Sequence, residues 1–196
     1  MLYLKPVQKL TLSALFLAAG LVLPFLTGQI QFIGNMLCPM HVPVLLCGLI
    51  CGWKYGLVVG AIMPLLRSAM FSMPPMMPQA VAMAFELAAY SAISGWLYQI
   101  QKKQSIVSVY TSLLGAMIGG RIIWGVVMAV LMGLSGSAFT LSAFIAGAFS
   151  NAIPGIILQL TAIPLLMVVL DKTGVLRFER PAASQKAAVS AAKAEA

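Results

Sequence analysis

Acid is scarce in this chain. Four of its 196 residues are Asp or Glu, one is His, and charged residues make up 8%. Soluble domains carry roughly 25% charged residues, so an ordinary soluble domain is excluded. The scarcity also narrows the chemistry. One His and one acid within apolar sequence supply no HExxH pair and no evident nucleophile–base set, which argues against an intramembrane hydrolytic enzyme. No GxxxxGK[ST] phosphate loop is present, so the chain cannot power pumping by itself. A second intramembrane acid for a proton relay is also missing. The three cysteines are Cys38, Cys47 and Cys51, an odd number with no CxxC pair. Cys47 and Cys51 are one helical turn apart on a hydrophobic segment, where free Cys packs as a small hydrophobe. Neither a metal site nor a cofactor is implied.

Hydrophobic residues are plentiful, at 61% with a mean hydropathy of +1.01. This is the composition of a multi-pass membrane protein. A helix needs about 20 apolar residues to cross a bilayer. Hydropathy predicts spans at about 9–27, 41–52, 56–71, 79–100, 105–133 and 150–170. The second is too short to cross straight and unaided. Pro64 in the third predicts a kink or local unwinding. The apolar run from Leu10 to Leu26 is longer than the roughly 7–15 residues of a signal-peptide core, so it reads as a retained first span. The segment from Ser135 to Phe149 reads as an outer loop or half-buried hairpin. Residues 1–172 form one transmembrane domain, and the Ala-, Ser- and Lys-rich stretch 173–196 reads as a disordered cytoplasmic tail. The fold class is therefore an all-α membrane protein, a six-helix transmembrane bundle.

The net charge of +8 invites a nucleic-acid partner, but its placement argues against one. Ten of the twelve Lys and Arg lie in connections or termini. With six spans they all fall on the side that holds both termini and connections 2–3 and 4–5. The opposite connections carry no charged residue. The positive-inside rule then puts both termini in the cytoplasm.

The two remaining cations and one acid sit inside spans. Charge at membrane depth is costly and marks a ligand or ion pathway by default. At about 1.5 Å of rise per residue, Arg67 lies roughly 16 Å above the cytoplasmic end of its span. Glu86 lies roughly 10 Å below the outer edge of the fourth span, and Arg121 roughly 24 Å up the fifth. His41 opens the second span on the outer side. Gln79, Met83, Glu86 and Tyr90 share one helix face, as do Arg121, Trp124 and Met128, and Asn151, Gly155 and Gln159. These stripes should converge on one cavity wet from outside. Arg67 and Glu86, on consecutive helices, are either a structural ion pair or ligand contacts. Pairing them leaves Arg121 alone and the bundle at a net charge of +1. An anionic or zwitterionic ligand would balance it, since Arg presents a planar fork to carboxylate or phosphate. The candidate ligand contacts are Asn35, His41, Arg67, Glu86, Tyr90, Arg121, Trp124, Asn151 and Gln159. Ala14 and Ala18 form an AxxxA on the first span, and Gly115 and Gly119 a GxxxG on the fifth. Both spacings permit close helix approach.

The stretch from Leu23 to Tyr98 resembles a substrate-binding S component of energy-coupling factor vitamin transporters. It includes Pro39-Met40-His41-Val42-Pro43 and Leu65-Leu66-Arg67-Ser68, and the likeness extends over roughly residues 8–172. The resemblance implies a bacterial cytoplasmic-membrane protein that binds a small water-soluble vitamin from outside. It implies as partners a transmembrane coupling subunit and two ATPase subunits, with Ala14 and Ala18 mapping onto the surface that meets the coupling subunit. It also implies that Gly28 to Met40 acts as a lid and that Gly133 to Phe149 caps the site. A carboxylate-bearing vitamin such as pantothenate suits the two Arg. A pyridoxine-like ring, stacked on Trp124 with its polar edge on Glu86 or Asn151, is the next choice. The rivals are a self-sufficient secondary transporter using Glu86, for which inverted repeats are not evident, and an assembly subunit with no small ligand.

Overall fold

Helices dominate because long apolar runs must satisfy their backbone groups internally when they sit in lipid. The computed structural model describes residues 5–27, 39–101, 105–136, 140–148 and 153–172. Helix α1 spans Pro6–Val22 and tightens into a 3-10 segment, Leu23–Thr27. Its start is fixed by Pro6 in the first turn and by the Gln8 side chain, which accepts from the Lys5 N–H at 2.9 Å. Helix α2 is His41–Cys51 and α3 is Trp53–Phe71. The stretch Met76–Ala80, broken by the extended backbone of Met77, leads into α4, Val81–Ile100. Helix α5 is Ile106–Leu134, with Ser105 accepting from the Ser108 N–H at its start. Helix α6 is Leu141–Ala148 and α7 is Ile153–Lys172.

Five of these stretches are long and apolar enough to cross a membrane: Pro6–Phe25, Trp53–Phe71, Met76–Ile100, Ile106–Leu134 and Ile153–Lys172. Helix α2 is not, having 11 residues and thus a length of roughly 16 Å. The protein is an all-helical membrane protein with five candidate spans among the described residues. Helix α3 starts at Trp53, three residues earlier than hydropathy suggests, and runs through Pro64 without unwinding. Within the Ser135–Phe149 segment, read from sequence as a loop or half-buried hairpin, Leu141–Ala148 forms the short helix α6. The stretch 173–196 lies outside the described residues.

The core is built around α2 and α4. Nearly every residue of α2 is buried, including Val44, Leu45, Cys47 and Leu49. Close approach depends on glycine. A Cβ on Gly95 would meet the Gly48 carbonyl and the Trp53 nitrogen, so α4 crosses against the backbone of α2 and of the turn that follows it. That turn is one residue, Gly52, at φ 102°, a left-handed conformation that glycine adopts without a steric penalty. Ser91 clinches the contact by donating to the Val44 carbonyl at 2.7 Å. On α5 the Gly115 and Gly119 pair faces Leu97 and Ile93 of α4, so this GxxxG serves packing within the chain. The opposite face of α5 exposes Ile118, Ile122 and Val126, at the spacing of a lipid-facing stripe.

Helix register sets the levels of the buried charges. Gly56 faces Ser91, and Gly60 faces the Leu87 backbone, so α3 and α4 run antiparallel. Continuing that register puts the backbone of Arg67 beside Ala80, roughly 9 Å from Glu86 toward the N-terminal end of α4. Span lengths alone had placed Arg67 slightly deeper than Glu86. The order reverses because α3 starts at Trp53 rather than Gly56 and the fourth span starts at Met76 rather than Gln79.

Candidate functional site

The helices α2, α4 and α5 bring four polar side chains together inside the bundle. Glu86 on α4 meets Arg121 on α5, with Nη1 2.9 Å from Oε1. Their side chains are 3% and 7% exposed, so the pair is desolvated on both sides. His41, at the start of α2, places Nε2 3.9 Å from the same Glu86 oxygen. Tyr90, one turn along α4 from Glu86, packs edge-on to His41 at 5.2 Å. Its ring also lies 5.9 Å from the Arg121 guanidinium carbon. Gly120 makes room for this ring, since a Cβ there would lie 3.1 Å from Tyr90 Cγ.

Of the two readings of Arg67 and Glu86, the structural ion pair does not form; Glu86 takes Arg121 instead. A buried pair of this kind has to offset a large desolvation cost through good geometry and further hydrogen bonds. Here those further bonds are incomplete. Both ring nitrogens of His41, Glu86 Oε1 and Gln159 Nε2 are buried without a hydrogen-bond partner. The 2.9 Å approach of Arg121 to Glu86 is therefore an ionic contact rather than a directed hydrogen bond. A buried donor or acceptor left unfilled costs about 1–3 kcal/mol. Such groups mark a place that a polar partner completes.

Arg67 occupies a separate station. It is 4% exposed, and its Nη1 donates to the Leu21 carbonyl at 2.7 Å. That carbonyl lies where α1 tightens into the 3-10 turn. Pro24, three residues on, has no N–H to offer it. The guanidinium carbon sits 5.4 Å from the Phe25 ring and 5.5 Å from the Phe71 ring. The two rings pack edge-to-face at 4.9 Å. Arg67 thus fastens the C-terminal end of α1 to α3.

The other candidates are spread more widely. Gln159 is 1% exposed on α7, which packs against α2 and α5. Trp124 stacks on Phe144 of α6 at 6.3 Å and 28°. Gly125 and Gly147 leave space for that contact. Asn35 and Asn151 lie outside the described residues. Ala14 and Ala18 are exposed on α1. Cys47 and Cys51 are buried free thiols. Sequence reasoning missed Phe25, Phe71 and Phe144. Phe71 was legible, one turn after Arg67 on the same helix. Phe25 and Phe144 reach their partners from other elements, and spacing carries no signal of that.

No curated protein and no solved structure matches this chain. The family described as ECF transporter, substrate-specific component, matches residues 8–167, and the chain belongs to that family: it is a membrane transport subunit and not an enzyme.

Proposed function

We propose that the chain captures a small carboxylate-bearing vitamin, with pantothenate the first candidate, from the outer side of the bacterial cytoplasmic membrane. It then delivers this cargo through a transmembrane coupling subunit driven by two ATPase subunits. In this reading α2 is the short second span of six. Both termini lie in the cytoplasm, as the segregation of Lys and Arg supports. The absence of a phosphate-loop motif from the sequence fits a subunit that relies on partners for ATP hydrolysis. The exposed Ala14 and Ala18 offer a small-residue face on which another helix can pack closely.

The observation that carries the substrate class is the balance of buried charge. Glu86 is compensated by Arg121, and among the described residues Arg67 has a carbonyl and two aromatic rings about it but no carboxylate. A ligand anion would restore neutrality. The unfilled atoms of His41, Glu86 and Gln159 suit hydroxyl or amide groups on the rest of the ligand. Tyr90, Arg121 and Trp124 complete the proposed contacts. Calorimetric titration of the purified chain with acidic vitamins and with pyridoxine tests this. Saturable one-to-one binding of an acid is expected. Binding of pyridoxine alone would replace the carboxylate assignment with a neutral ring.

A further inference from the structure

We infer that Arg67, and not Arg121, receives the acidic group of the ligand. The inference deepens the capture reading above and rests on it.

The charge of Arg121 is already met by Glu86 at 2.9 Å. An anion arriving at Arg121 would also face Glu86, and like charges in a low-dielectric interior repel strongly. Arg67 presents the opposite situation. Glu86 and Asp171 are the only acids among the described residues, and neither pairs with it. A guanidinium carries five N–H donors in a rigid fork. The structure places one of them, at Nη1, on the Leu21 carbonyl. The fork keeps donors for a carboxylate, which it can grip through two parallel bonds.

The side chain is also held in advance. The Leu21 carbonyl fixes one edge of the guanidinium, and Phe25 and Phe71 flank it at 5.4 and 5.5 Å. A side chain already ordered in the empty protein loses less conformational freedom when it binds. Its place supports the same assignment. Arg67 stands above Glu86 along α4, at the junction where α1 hands over to the Leu23–Thr27 segment. A ligand approaching from above meets Arg67 before the Glu86 cluster. The acid is then met by Arg67, and a neutral end carrying donors and acceptors is left for His41 and Glu86.

The test compares acids with uncharged counterparts of similar shape: pantothenate with pantothenol, and lipoate with lipoamide. The full chain should bind one acid at least about tenfold more tightly than its neutral partner, a preference of roughly 1.4 kcal/mol. Arg67→Gln should erase the preference, so that the acid and its neutral partner bind equally, with thermal melting of the variant as the separate check on its fold. Arg67→Lys, which keeps the charge but loses the fork, should retain part of it. The paired Glu86→Gln, Arg121→Gln protein should keep the preference. Persistence of the preference in Arg67→Gln, an undiminished preference in Arg67→Lys, or its loss only in the paired variant would overturn the assignment. If neither acid binds, carboxylate capture fails, and this assignment fails with it.

Discussion

Truncating Arg121 would strand the Glu86 carboxylate inside the bundle. Breaking a buried pair from one side costs about 3–5 kcal/mol, because the remaining charge has no compensation. Arg121→Ala should therefore lower the melting temperature in detergent sharply. The paired Glu86→Gln, Arg121→Gln protein should melt closer to the parent. Equal melting of Arg121→Ala and the parent would show that the ion pair does not form in the membrane protein. This residue-level picture was half legible in the sequence. Hydropathy singled out Arg67, Glu86 and Arg121, since each interrupts an apolar run. Their pairing was not legible, because it depends on how α4 is rotated. Adjacency along the chain made Arg67 a possible partner for Glu86 and left open whether the two instead contact a ligand. The Gly60–Leu87 contact sets Arg67 away from Glu86, toward the N-terminal end of α4, and Gly120 lets Tyr90 and Arg121 close on the Glu86 side.

Among the elements, α2 was the hardest to read. Apart from His41 its sequence is apolar, so periodicity gives no inward face, and its 11 residues are too few for a full span. Burial on nearly all sides explains both features, as expected of a helix hydrophobic all round. The contact with α4 depends on Gly95, where a larger side chain would strike backbone rather than a yielding side chain. Gly95→Leu should destabilise the fold by about 1–3 kcal/mol or more, as overpacking does, measured by thermal melting. An unchanged melting curve would mean that α4 does not cross α2 so closely. Helix α1 makes the opposite case. Ala14 and Ala18 are exposed, so Ala14→Trp should leave ligand affinity intact while abolishing uptake by the assembled transporter. Uptake that survives the substitution would remove this face from the coupling surface.

At the scale of the whole molecule, charge distribution and hydropathy made the membrane class and most spans legible. They could not reveal helix α6, which is short and Gly- and Ala-rich and docks through Phe144 on Trp124. The proposed orientation has a direct check. A reporter fused to either end should be active only in the cytoplasm, and an externally active fusion at one end would break the six-span arrangement. The central claim is that the bundle holds a small acidic vitamin, and native mass spectrometry of gently purified protein tests it most directly. The account predicts one bound molecule per chain, which fragmentation identifies as a carboxylate-bearing vitamin. A protein that carries no small molecule, and takes up none from a broad vitamin panel, would contradict it and leave the buried charges as docking groups for a partner helix.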